Sequence, residues 1–389
     1  MWPYKTFRTV LLLSPIVFSI SLALDVYMPV IPEMIDVLKT SKSMIQLTLS
    51  AFFLVTGFGQ LILGPLSDQY GRYTVLLISA ILFTLASLLC ALSHTVEELI
   101  FYRFIQGIGS CGQSVTAFAI VRDSFHGRTS AVIYSFLNAG VSFSPIAGPI
   151  IGIFLASIFP WNAIFFFLSF LGLVNIILII LFYKESLPLK KRRCFDKHVF
   201  SRYYSVVFNL RFWSYTIPAV AGMSTFFTVF SVTPYIMQSL NEPRSQIGIF
   251  FGLAGIAFLG GSIVSGYIIK KVGIFFTIII GSISIFLSGF TIIVIYLFKG
   301  LSLWGFFIPS TLGTFGCALT AGSGASGAME PFGDYPGVAS AMFGALEIGG
   351  SAIIGSIGVS LCSSPMSVGV SSLVCSSIGL LLLKINGRR

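Results

Sequence analysis

The chain has 389 residues, of which 56% are hydrophobic and only 9% charged, with a mean hydropathy of +0.96 and a net charge of +10. Soluble domains carry roughly 25% charged residues, so this chain lacks the polar surface to stay in water and leaves no room for a sizeable soluble domain. The positive charge does not indicate nucleic acid, because the basic residues fall in alternate short loops rather than along a binding stripe.

A spanning helix needs about 20 apolar residues. Hydrophobic runs and their polar breaks predict six spans at 9–31, 44–65, 73–93, 96–121, 130–156 and 161–183. Six more follow at 212–238, 246–269, 273–298, 302–328, 337–361 and 366–384. The expected fold class is all-α and integral to the membrane, with twelve transmembrane helices in two six-helix bundles. The chain divides into 1–183, a basic linker at 184–211, and 212–389. Two halves of this kind read as parallel repeats.

The first span follows Lys5 and Arg8, an arrangement that mimics a secretory leader. Ala23 offers only a weak cleavage context, and the run continues into Asp25 and Pro29, so the segment reads as a retained helix. A charge at mid-bilayer costs at least about 2.5–3.5 kcal/mol, so Asp25 needs a partner or a purpose. Pro29 and Pro32 should break the helix soon after it and open backbone toward a cavity. Asp25 either handles substrate or protons, or is an interfacial carboxylate that ends the span.

Between the second and third spans, Gly64 to Leu77 reads G-P-L-S-D-Q-Y-G-R-Y-T-V-L-L, a polar hairpin holding Asp68, Gly71 and Arg72. A tight turn there needs glycine, and the Asp and Arg can pair across it. The fourth span carries Arg103, too far from a basic loop to serve topology alone. A carboxylate held against it and released by proton or substrate is a workable coupling device, and Asp25 is the candidate partner. In the fifth span, Pro145 and Pro149 weaken the helix ladder, while Gly140, Gly148 and Gly152 permit close backbone contact. That pattern serves a gating helix and tight static packing equally well.

The linker holds Lys184, Lys190, Lys191, Arg192, Arg193, Lys197, Arg202 and Arg211, which anchor topology or offer a lipid-binding patch. Across all loops one side of the membrane receives 18 basic residues and the other 4, which places both termini in the cytoplasm. After the eighth span, Gly266, Lys270, Lys271 and Gly273 stand where a second copy of the Gly64 hairpin would fall, without the Asp. Glu347 lies mid-way along the eleventh span with no charge nearby in sequence. It reads equally as a proton-exchanging carboxyl and as a neutral acid bonded in a helix interface.

The six cysteines and three histidines have no ligand-like spacing, so no metal site is expected. Gly107–Gly112 and Gly322–Gly327 both fit G-x-G-x-x-G, but each sits inside an apolar helical run rather than between a strand and a helix. They read as packing glycines.

The Gly64–Leu77 segment resembles the signature loop of the major facilitator superfamily, G-x-L-A-D-R-x-G-R-K, with Gly64, Leu66, Asp68, Gly71, Arg72 and Leu77 matching. Gln69 and Tyr73 depart from it and weaken its basic part. Arg103 with Gln106, Gly107 and Gly109 resembles the fourth-helix R-x-x-Q-G-x-G motif, and Gly148, Pro149 and Gly152 resemble the G-P-x-x-G motif of antiporters. Leu24–Pro32, Ala119–Phe125, Met329–Gly333 and Val338–Ala341 are similar to the bicyclomycin and chloramphenicol resistance branch.

The resemblance implies a multi-pass protein of the bacterial inner membrane that exports small hydrophobic or amphipathic compounds in exchange for protons, by rocking of its two halves. Asp25 and Arg103 would then serve proton coupling and the substrate cavity, with Glu347 added on burial alone. Gly64, Asp68, Gly71 and Arg72 would form the cytoplasmic gating loop, and Gly148, Pro149 and Gly152 the antiporter hinge. Protons would be the coupling ion, with no cofactor and no catalytic residue. The partners would be a small-molecule substrate and the bilayer, with no nucleic acid, and the fold can work as a monomer. A proton-coupled importer of a metabolite such as an amino acid or peptide would use the same charges. A non-transporting receptor or scaffold would gain nothing from them, and no enzymatic constellation is present in any loop.

Overall fold

The computed structural model describes residues 4–125, 127–187, 189, 192, 198–333, 336–361 and 364–386, and no strand occurs among them. The linker residues Lys190, Lys191, Arg193, Cys194 and Lys197 lie outside the described residues, as do His126, Cys362, Arg388 and Arg389. The chain forms two compact units, Met1–Asp196 and Lys197–Arg389.

The first unit runs α1 (Tyr4–Asp25), a 3₁₀ turn (Met28–Val30), α2 (Ile31–Val37), α3 (Lys42–Phe58), α4 (Gln60–Tyr70), α5 (Arg72–Ala91), α6 (Val96–Ser124), α7 (Gly127–Ile158) and α8 (Ala163–Phe182). The second runs α9 (His198–Val207), α10 (Leu210–Ser239), α11 (Arg244–Lys299), α12 (Leu303–Met329), a 3₁₀ turn (Glu330–Phe332) and α13 (Pro336–Gly344). A π-helix (Ala345–Gly350), α14 (Ser351–Leu361) and α15 (Pro365–Asn386) complete it.

Among the described residues ten helices are long and apolar enough to cross a membrane, and α3 with α4, bent by 49°, adds an eleventh when the pair is taken as one span. At 1.5 Å per residue the 56 residues of α11 would run about 80 Å, far beyond one bilayer. Gly273 breaks it with φ 86° and ψ 171°, and two spans within α11 are consistent with the expected twelve. Gly71 ends α4 with nearly the same backbone, φ 95° and ψ 156°. Both values lie in a region that side chains with a Cβ avoid. Gly273 therefore repeats the glycine backbone of Gly71 at its own helix break.

Polar residues at the short loops start the helices. Ser41, Thr95, Asn209 and Ser302 each accept a hydrogen bond from the backbone N–H three residues on, satisfying one orphan donor. Large apolar side chains such as Phe154, Phe170, Leu181 and Ile263 stay more than half exposed, as lipid-facing positions should. Inside the first unit Leu13, Ile16, Leu76, Val121 and Ile133 form the core. In the second, Phe212, Ile278, Ala328 and Leu383 do so.

Two expectations are refined. The Gly64 hairpin is not an extended loop, because α4 stays helical through Tyr70 and only Gly71 is non-helical. Gly64 itself lies inside α4, where an added Cβ would make only ordinary contact with Val115, so the bend does not depend on it. The readings of Gly107–Gly112 and Gly322–Gly327 as packing glycines fit the structure. A Cβ at Gly107 or Gly109 would strike the backbone of Phe52 or of Ser79 and Phe83, and one at Gly324 would crowd Tyr215 and Ala219.

Candidate functional site

Asp25 is the last residue of α1, ahead of the Pro29 turn that stops the helix. Its side chain is 6% exposed. The Ser144 hydroxyl on α7 donates to its Oδ2 at 2.5 Å, the only hydrogen bond to this carboxyl among the described residues. One and two turns further along α7, Gly148 and Gly152 bring the helix backbone against Asp25 and Val26. A Cβ at either glycine would collide with them. Gly140 has open space around it, so the close contact expected of all three glycines is made by two. Pro145 and Pro149 lie within an α7 that remains one continuous helix.

Arg103, on α6, is fully buried and does not snorkel outward. Its guanidinium carbon sits 4.8 Å from the ring centroid of Tyr27, 4.5 Å from that of Phe52 and 5.7 Å from that of Phe165. Its Nη1 donates to the Ala23 carbonyl (3.1 Å) and to Gln106 Oε1 (2.7 Å). Gln106 passes the network on to Ser87, and Ser87 to the Phe83 carbonyl. Spacing of three residues puts Arg103 and Gln106 on one helix face, which explains why they meet. Among the described residues Nε and Nη2 of Arg103 have no hydrogen-bond partner. Desolvated cation–π contacts, worth about 2 kcal/mol or more, offset part of the burial of this charge. Asp25 and Arg103 form no ion pair among the described residues. The guanidinium instead takes the carbonyl two residues before the carboxyl.

At the other end of the first unit, Arg72 starts α5 and is 2% exposed. It pairs with Asp68 (2.5 Å) on the last turn of α4 and with Asp123 (2.8 Å) at the end of α6, and donates to Ser67 (2.5 Å). Glu185, just past α8, accepts from the backbone N–H groups of Arg72 (3.0 Å) and Tyr73 (3.2 Å). A carboxylate there answers the orphan donors and positive end of α5. Arg192 of the linker pairs with the same Glu185 at 3.3 Å. A Cβ on Gly71 would meet only the movable ends of these two side chains, so it is the positive φ that calls for glycine there.

In the second unit Glu347 lies in the π-helix and is half-buried, with no hydrogen bond or ion pair to its carboxyl among the described residues. Gly349 and Gly350 follow it and ease the wider π turn, a form that recurs at functional sites. Cys90, Cys111 and Cys317 are free and buried, consistent with small packing residues.

The sequence model of the Major Facilitator Superfamily matches residues 13–359. The chain belongs to that superfamily. It is 33% identical over 365 residues to a chloramphenicol resistance protein of Pseudomonas aeruginosa, covering 93% of this chain and 85% of that one. Multidrug resistance protein D of Escherichia coli K12 is 27% identical over 97% of this chain and 95% of its own. MdtL, a multidrug resistance protein of Salmonella paratyphi C, is 27% identical over 92% and 90%. The fold is shared with the crystal structure of the human organic anion transporter MFSD10, at TM-score 0.65 and 16% identity over 98% of this chain and 100% of that one. A POT family transporter in complex with a thioalcohol-conjugated peptide aligns at TM-score 0.73 and 14% identity over 98% and 94%.

This major facilitator protein is thus a multi-pass membrane transporter and not an enzyme. Several residues of its candidate site escaped the sequence reading. Ser144 lay unremarked one turn before Gly148, although its spacing put it on the same face. Asp123 stood inside the Ala119–Phe125 segment without a role, and Glu185 headed the linker as one acid among many bases. Tyr27 stood inside the Leu24–Pro32 segment without a role of its own, and Phe52 and Phe165 carried no signal, because aromatic residues abound in every span.

Proposed function

We propose that this transporter exports small hydrophobic or amphipathic compounds across the bacterial inner membrane in exchange for protons, by alternating access, with both termini in the cytoplasm. The observation that carries this reading is the Asp25 carboxyl, buried in a span and held by one hydroxyl, in a chain whose relatives are named for chloramphenicol and multidrug resistance. An ionised carboxyl so placed costs several kcal/mol, and a proton removes that cost. Proton loading and unloading can therefore alternate with substrate. Arg103 joins the relay, its two idle donors available to a carboxylate or substrate oxygen at another stage of the cycle. Gly64, Asp68, Gly71 and Arg72 act as the cytoplasmic gating loop, and Gly148, Pro149 and Gly152 as the hinge against α1. The orientation rests on the excess of basic residues on one side. The proton is the coupling ion, with no cofactor, and the monomer is the working unit.

The test is purified protein in liposomes with an imposed pH gradient, a pH-sensitive dye inside, and amphipathic drugs and amino acids added in turn. Proton movement opposite to substrate flux is the expected result. Movement in the same direction would make the protein a symporter and overturn the reading of the fifth span. Glu347→Gln tests the second unit in the same assay. Loss of about ten-fold or more in transport with normal expression is expected, and wild-type flux would remove Glu347 from the mechanism.

A further inference from the structure

The seam between α1 and α7 carries more than a close helix contact. Ser144, Gly148 and Gly152 recur every four residues and so line one face of α7. The two glycines let backbone meet backbone at Asp25 and Val26, which fixes the separation of the helices without relying on flexible side chains. Ser144 is fully buried and is the polar member of that face, and its hydroxyl reaches Asp25 Oδ2 at 2.5 Å. The seam therefore aims one donor at one carboxyl, with the geometry set by the two main chains.

Among the described residues no other charged or titratable group bonds the Asp25 carboxyl. On α6, Arg103 directs Nη1 to the Ala23 carbonyl and to Gln106. On the same segment as Asp25, the Tyr27 hydroxyl bonds Thr48 at 2.7 Å. The α8 helix has no ionisable residue between Ala163 and Phe182. Of the ionisable residues of α7, Arg128 and Tyr134 stand at its opposite end, with Tyr134 bonded to the Phe118 carbonyl. The end of α1 also presents carbonyl groups, the negative end of a helix dipole, which opposes a charge on the carboxyl. A hydroxyl is both donor and acceptor, so it can donate to the carboxylate and, after rotation, accept from the carboxylic acid.

We propose that Ser144 is a positioning residue for Asp25, holding the carboxyl in place and setting how readily it releases its proton. This rests on the reading of Asp25 as the coupling carboxyl. Hydrogen bonding to the charged form favours that form, so removing the hydroxyl makes Asp25 keep its proton to higher pH. The expected change is about one pH unit, equivalent to a ten-fold change in proton affinity.

The experiment is a pH titration of the full-length protein in liposomes by infrared difference spectroscopy, with the Asp25 band identified as the carboxyl C=O signal missing from Asp25→Asn. In Ser144→Ala the midpoint of that band should move about one unit to higher pH and its frequency should rise as the hydrogen bond is lost. Ser144→Thr retains the hydroxyl and should keep the wild-type midpoint. Ser144→Cys, a near-isostere with a weaker donor, should shift the same way by less, and it serves if the alanine variant does not fold. An unchanged midpoint and frequency in the alanine and cysteine variants would overturn the role of Ser144 while leaving Asp25 as the coupling group. If no titrating band is missing from Asp25→Asn, the reading of Asp25 falls and the role of Ser144 falls with it.

Discussion

Asp25→Asn is expected to abolish gradient-driven transport, a loss of at least about 100-fold, because the variant cannot take up or release a proton at this position. The substitution is close to isosteric and keeps an oxygen that can accept from Ser144, so the seam between α1 and α7 should survive. Membrane insertion and thermal stability in detergent should therefore stay near wild type. Substrate exchange with no pH gradient should persist, since binding and reorientation do not require net proton movement. Transport measured with and without a gradient separates the two effects. Unchanged gradient-driven transport would remove Asp25 from the coupling mechanism.

Arg103→Lys should reduce transport by about ten-fold or more even though the positive charge is kept. The guanidinium lies among three aromatic rings and makes two hydrogen bonds through one nitrogen. An ammonium cannot stack as a planar group, and it lacks the fork that leaves Nε and Nη2 available. Losing about 2 kcal/mol of desolvated cation–π contact alone corresponds to more than a ten-fold change in an equilibrium. The Tm in detergent should fall as well, because the lysine would leave a fully buried charge with fewer partners. A lysine variant with wild-type transport and Tm would show that only the charge is used. Arg103→Ala should then be the more damaging change only if the charge itself matters, so the pair of variants separates geometry from electrostatics.

The spans were legible because lipid leaves the backbone few choices. Every peptide group must be satisfied within its own segment, so an apolar run of about 20 residues becomes a helix whatever its neighbours. Gly71 and Gly273 marked turns for an equally local reason, since their φ values of 95° and 86° suit glycine alone. The Arg103–Gln106 contact was readable from helix spacing. The pairing of Arg72 with Asp68, four residues apart, was also foreseeable, but its second partner, Asp123, is 51 residues away and was not.

Composition and periodicity by themselves determined the membrane class, the approximate spans and the place of Asp25 and Arg103 within them, because those depend on hydropathy along the chain. Only the tertiary structure decided what each charge faces. Asp25 meets Ser144, 119 residues distant, rather than Arg103, and Arg103 meets three rings brought from separate segments. The physical reason is that helix–helix packing within a bundle is set by where small residues such as Gly148 and Gly152 admit a neighbour. The four-residue spacing on α7 marks a face, but which neighbour that face meets is decided by the whole unit at once.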